Sequence, residues 1–162
     1  MDIKFEKWQG LGNDFIILEN ADATSDLAKK LCDRNFGIGA DGIFSAVKFD
    51  RTPSAENVDI AWKFYNSDGS IAQMCGNGMR CFAKYVHDKG IIEKHKFSVQ
   101  TLAGVIIPEI LETGKVCVNM GTPIFDAAKI PTKALDVFDF EVEGFRASAV
   151  SMGNPHCVIF TD

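Results

Sequence analysis

Asn66-Ser67-Asp68-Gly69-Ser70-Ile71-Ala72-Gln73-Met74-Cys75-Gly76-Asn77-Gly78-Met79-Arg80-Cys81 runs from a turn into the start of a helix. Asn66-Ser67-Asp68-Gly69 is turn chemistry. Gly76 to about Lys89 predicts a helix, with Met79, Phe82, Ala83 and Val86 as its apolar face and Gly90 as its stop signal. A cysteine followed by Gly-Asn-Gly at the mouth of a helix has a definite physical meaning. The first backbone N–H groups of a helix have no internal partner and form the positive end of its dipole. A thiol placed there is drawn toward the thiolate, its reactive form. The same N–H groups can grip a carboxylate or phosphate, and glycine lets that anion come close. One helix end would then supply a nucleophile or base, Cys75, and an anion cradle. The plainer reading, Asn77 as an N-cap that only stabilises the helix, stays open on these residues alone.

Before this junction the pattern predicts a strand around Ile3, Phe5 and Trp8, and a buried one at Phe15-Ile16-Ile17-Leu18. Gln9-Gly10-Leu11-Gly12-Asn13-Asp14 is the Gly-rich turn between them. Thr24 or Ser25 caps an expected helix through about Arg34, with Leu27, Ala28, Leu31 and Cys32 as its inner stripe. Phe36-Gly37-Ile38-Gly39-Ala40-Asp41-Gly42 cannot be regular structure and leads into a strand from Ile43 to about Phe49. Arg51-Thr52-Pro53-Ser54 reads as a loop, and Val58 to Tyr65 as a strand. After the helix, strands are expected at Phe97–Thr101, Val105–Leu111, Val116–Met120, Phe138–Val142, Phe145–Ser151 and Cys157–Thr161. Many strands and two helices without strict βαβ alternation indicate an α+β architecture.

Composition narrows the classes. The 162 residues carry 17 Lys+Arg against 22 Asp+Glu, a net charge of −5, with no basic cluster, which argues against a nucleic-acid partner. Thirteen Phe, two Trp and two Tyr are too many aromatics for a disordered chain. No apolar run nears the ~20 residues that span a bilayer, and the opening Met1-Asp2-Ile3-Lys4-Phe5 is no signal peptide, so a cytoplasmic protein with no membrane partner is expected. Five cysteines at irregular spacing read as reduced thiols. Cys32, Cys81 and Cys117 read as packing residues, most of the five are expected to be buried, and no metal site is expected from three scattered histidines. His87 and His95 look exposed and receive no role. Asn13, Asn66 and Asn154 sit in loops where Asn normally serves backbone geometry. His156 can either polarise a neighbouring group or serve as a structural strand-edge residue.

Gly12-Asn13-Asp14-Phe15-Ile16-Ile17 and Gly153-Asn154-Pro155-His156-Cys157-Val158 share the pattern Gly-Asn-x-aromatic-x-aliphatic. Either the match is chance, or the chain holds a duplicated unit offset by 141 residues.

Together, Gly10-Leu11-Gly12-Asn13-Asp14-Phe15, the Phe36–Gly42 segment, Asn66–Ser70 with Met74–Cys81, and Ser151-Met152-Gly153-Asn154-Pro155-His156 resemble the successive motifs of diaminopimelate epimerase, in the family's order. Asn35 departs from a His often found before Phe-Gly-Ile-Gly. The resemblance implies a mostly antiparallel, barrel-like sheet wrapped around a central helix, in two pseudo-symmetric domains. It implies a cofactor-independent isomerase of lysine biosynthesis that inverts one α-carbon of LL-diaminopimelate to the meso form. Two cysteines would work from opposite faces of this amino-acid substrate. Cys75 would be one of them and His156 would tune its chemistry. Gly76 and Asn77 would bind the α-carboxylate, and Asn13, Asn66 and Asn154 the substrate's other polar groups.

The family's second Cys-Gly-x-Gly helix start has no counterpart here, and duplication would place the partner of Cys75 near position 216. Residues 1–120 are therefore expected to form the first epimerase-like domain and 121–162 the opening of a second, truncated one. A chain inactive on its own is expected, with a homodimer among the assemblies allowed. The alternatives are another cofactor-independent isomerase of the same fold, proline racemase-like or phenazine-biosynthesis-like, and a non-catalytic half-domain that binds an amino acid or a protein partner.

Overall fold

The computed structural model describes residues 2–47 and 58–161. The loop expected over 51–54, and the end of the strand expected to reach residue 49, lie outside the described residues. The chain falls into two compact units, Met1–Asn119 and Met120–Asp162.

In the first unit, β1 (Phe5–Gly10) and β2 (Asn13–Leu18) precede α1 (Ser25–Cys32). Then come β3 (Gly42–Val47), β4 (Ile60–Asn66), α2 (Gly76–Asp88), β5 (Val99–Thr101) and β6 (Gly104–Ile106). These six strands lie side by side in chain order. β2 with β3 and β4 with β5 pair parallel, and the other three pairings are antiparallel. Each parallel step is made through a helix, as a parallel connection requires. Both crossovers step the same way along the sheet, but β2 and β4 run in opposite directions. The right-handed crossover rule then sends α1 and α2 to opposite faces.

Packing agrees with that rule. On one face α1 buries Ala28 and Cys32 against Ile16, Leu18 and Ile43. On the other, Phe82 of α2 meets Phe44 and Trp62 edge-on, at ring centroid separations of 6.2 and 5.6 Å. Phe15 and Phe64 complete this aromatic cluster. Each fully buried Phe contributes about 1.5–3 kcal/mol of apolar burial. Covered on both faces, β2 shows four buried residues in a row instead of an alternation. The sheet is thus mixed and, among the described residues, open, because β1 and β6 do not pair. Three of its five pairings are antiparallel, in line with the expected mostly antiparallel sheet, and the two helical crossovers impose the parallel steps.

The buried positions of α2 run from Gly78 to Val86 and include Met79, Cys81, Phe82, Ala83 and Tyr85. At ~100° per residue they cover an arc of about 200°. The sheet lies on one side of this arc. A two-stranded ribbon of β7 (Pro108–Ile110) and β8 (Val116–Val118) lies against the helix as well. The single strand expected over 105–111 is in fact β6 and β7, broken at Ile107 and belonging to different sheets. Cys117 is exposed, correcting its reading as core. The strand's period of two turns Val116 and Val118 inward and Cys117 out.

The second unit is a meander of β9 (Phe140–Val142), β10 (Phe145–Ser151) and β11 (Pro155–Ile159), ordered β11-β10-β9. A short 3-10 turn, Ala127–Lys129, precedes it. Its small core includes Ile130, Val137 and Ala149. The two Gly-Asn echoes fall at matching places. Gly12 (φ 82°) and Gly153 (φ 96°) each lie in the turn of an antiparallel hairpin, with the Asn directly after.

Candidate active site

Parallel and antiparallel register brings one end of β2, β3 and β4 together. Phe15 pairs with Gly42, and Gly42 with Asn66, so Asn13, Asp41 and Asn66 gather at the same sheet end. The mouth of α2 opens beside them. Cys75 caps that helix: its backbone is extended (φ −145°, ψ 115°) and its Sγ accepts the Gly78 N–H at 3.4 Å. The Cys75 carbonyl accepts the Met79 N–H at 2.7 Å. The cap is therefore Cys75 and not Asn77, which corrects the capping reading. Asn77 lies inside the first turn, where its Oδ1 accepts from Arg80. A sulfur can cap here because Gly78 is small. A Cβ at 78 would stand 3.2 Å from the Phe44 ring and 3.5 Å from the Cys75 Cβ.

Among the described residues, the N–H groups of Gly76 and Asn77 point out of the first turn without an acceptor, as helix geometry dictates. Asn13 reaches the thiol: its Oδ1 lies 3.8 Å from Cys75 Sγ, and its Nδ2 donates to Asp41 at 3.1 Å. Asn66 Nδ2 donates to Ser70 Oγ at 2.9 Å, and its backbone carbonyl accepts from Gly69, closing the turn that follows β4. So Cys75 and Asn13 are in contact, and Asn66 is tied in through the Asp41 carbonyl, which accepts the Ser67 N–H at 3.0 Å.

Asn154 and His156 belong to the second unit, where Asn154 Oδ1 lies 3.2 Å from His156 Nε2 on an exposed surface. His87, expected to be exposed, is half-buried against the His95 ring at 4.9 Å. The thiols divide by environment. Burial pushes Cys32 and Cys81 up to about 11, where they are poor nucleophiles at neutral pH. Cys75 is half-buried, and Cys157, like Cys117, is exposed, so fewer of the five are buried than expected. Among the described residues no three His, Cys, Asp or Glu side chains gather as a metal site, and no helix is long and apolar enough to cross a membrane.

Two residues at this end carry more than the sequence suggested. Asp41 was visible only as part of a glycine-rich segment, and Arg34 only as the end of a helix. Here Arg34 bridges Asp14 and Asp41, at 2.7 and 2.9 Å.

The sequence model of the diaminopimelate epimerase family matches residues 5–125. The chain belongs to the diaminopimelate epimerase family. It is 48% identical over 98% of its length to the diaminopimelate epimerase of Caldanaerobacter subterraneus, covering 60% of that protein. It is 44% identical over its whole length to the diaminopimelate epimerase of Desulforapulum autotrophicum, covering 62% of that relative. The chain thus spans about 60% of the length of these curated relatives. In fold it resembles a solved structure described as a probable proline racemase from Agrobacterium radiobacter, with a TM-score of 0.71 at 14% identity. That likeness covers 98% of this chain and 52% of the other. The α+β fold is therefore that of half a diaminopimelate epimerase-like molecule.

Proposed function

We propose that this chain supplies one of the two thiols of a diaminopimelate epimerase, a cofactor-independent isomerase that converts LL-diaminopimelate to the meso form in lysine biosynthesis in the cytoplasm. The observation that carries the reading is Cys75 at the mouth of α2, with Gly78 N–H and Asn13 Oδ1 on its sulfur. In this reading the Cys75 thiolate exchanges a proton with the substrate α-carbon. The Gly76 and Asn77 N–H groups receive the α-carboxylate, as a helix N-terminus favours. An amino-acid α-proton is far less acidic than a thiol, so fixed N–H donors and exclusion of water must stabilise the developing carbanion. Asn13, Asn66 and Asn154 would bind the remaining polar groups, and His156 would tune the cysteine chemistry. Residues 1–120 would be the first epimerase-like domain and 121–162 the start of its pseudo-symmetric partner, which carries the second thiol, in a protein able to form homodimers. Family membership favours this reading over a proline racemase-like or phenazine-biosynthesis-like activity, and the helix-capping thiol over a purely binding half-domain.

Two measurements test it. Iodoacetamide labelling at pH 7, read by peptide mass spectrometry, is expected to modify Cys75 faster than Cys32, Cys81, Cys117 and Cys157. The comparison with exposed Cys117 and Cys157 decides, because accessibility alone would favour them. Incubated with LL-diaminopimelate in D2O, the 162-residue chain is expected to give no sustained α-proton exchange. Sustained turnover would remove the need for a second thiol.

A further inference from the structure

Asn13 presents an amide whose two ends differ chemically, and its surroundings decide which end meets the thiol. Its Nδ2 donates to Asp41 Oδ2, which also accepts the Asp14 backbone N–H at 3.0 Å. The other Asp41 oxygen accepts from Arg34 at 2.9 Å. Arg34 also grips Asp14 through both guanidinium nitrogens, and Lys7 lies 3.1 Å from the same Asp14 carboxylate. A carboxylate paired with an arginine accepts hydrogen bonds and donates none. Only the NH2 end of Asn13 can therefore face Asp41, and the carbonyl end is left toward Cys75 Sγ. The sulfur then meets two opposite demands. The Gly78 N–H donates to it, whereas the Asn13 carbonyl can only accept from it. The Asp41 backbone adds to this. Its N–H donates to the Asp14 carbonyl at 2.8 Å and its carbonyl accepts from Ser67, so one residue ties the loop of Asn13 to the turn of Asn66.

We propose that Asp41 is a positioning residue for Cys75: by accepting the Asn13 amide N–H it turns the amide oxygen toward Sγ and so sets the reactivity of the thiol. The inference rests on Cys75 being the reacting thiol. The wild-type ranking of the five cysteines tests that premise, whereas the change between variants tests the role of Asp41.

The experiment is the pH–rate profile of Cys75 alkylation in the 162-residue chain. In Asp41→Asn the amide of Asn13 is free to turn its NH2 end toward sulfur. The profile is expected to move to lower pH and the rate at pH 7 to rise roughly three- to tenfold. Loss of the Asp41 charge would push the same way through space, so the substitution is repeated in an Asn13→Ala background. Action through Asn13 predicts that the Asp41→Asn effect shrinks to within about twofold there, as coupled neighbours require. An effect of full size in that background, or no effect in either, overturns the proposal. Cys32 and Cys81 report folding in the same samples, since both are buried and stay unlabelled while the core holds. If Asp41→Asn exposes them, Asp41→Ser, whose hydroxyl can still accept the Asp14 N–H, carries the same comparison. Exposure in both variants makes Asp41 a residue of the fold alone and likewise overturns the positioning role.

Discussion

Asp14 shows how one side chain links the site to stability. The Arg34 guanidinium, and after it the Lys7 ammonium, hold its carboxyl well below the usual carboxylate range, against burial, which pushes the other way. Its pKa is thus lower in the folded chain than the value of about 3.9 expected when unfolded. A group of that kind stabilises fully above about pH 4 and loses its contribution as the pH falls below it. Asp14→Asn is accordingly expected to lower the urea midpoint at pH 7, with the gap from the wild type narrowing as pH drops from 4 toward 2. A gap independent of pH would show that the carboxylate's charge is not what matters. The same ion network was invisible in the sequence, because Asn13 and Asp14 stand far along the chain from Arg34 and Asp41. Nothing local in Phe36–Gly42 says which side chain its aspartate will meet.

At the scale of elements, local chemistry was legible where a single signal dominates. Thr24 does cap α1, accepting the Leu27 N–H at 3.3 Å, and α2 begins at Gly76 as its glycines and apolar stripe require. The β1–β2 hairpin closes through Leu11 and Gly12, at φ 56° and 82°, a two-residue turn with both residues in the left-handed region. Glycine tolerates that region, whereas leucine does not favour it, and Leu11 is 89% exposed with no packing to compensate. Leu11→Asn is therefore expected to stabilise the chain by about 1 kcal/mol, since Asn enters the left-handed region more readily. Denaturant unfolding checks it, and unchanged or lowered stability would mean that the turn carries no such strain. Element ends were less legible. β6 and β7 read as one strand because Val105-Ile106-Ile107 runs on into Ile110-Leu111 with only Pro108 and Glu109 between, and pairing to two different sheets separates them.

For the whole molecule, the two units have unequal cores. The first is built on a sheet covered on both faces, with Phe15, Ile16, Ile17 and Phe44 at 0–1% exposure. The second has a smaller core, with Ile130, Val137, Ala147 and Ala149 buried, and all five residues of its edge strand β11 are exposed. Amide exchange followed by mass spectrometry is expected to be slowest in β2, β3 and α2 and fastest in β11. Equal protection of β3 and β11 would contradict that ranking.

What the sequence by itself determined is the chemistry held in short windows: the hairpin glycines, the Thr24 cap of α1, the thiol at a helix mouth and the ordered motifs of the epimerase family. These depend on residues a few positions apart, whose backbone preferences act locally. Only the tertiary structure decided which faces are buried, why Cys117 points outward while Cys81 is sealed, and how Asp41, Arg34 and Asn13 meet at the thiol. Those outcomes follow from the sheet's register and from two crossovers of opposite facing, which bring distant residues within hydrogen-bonding reach.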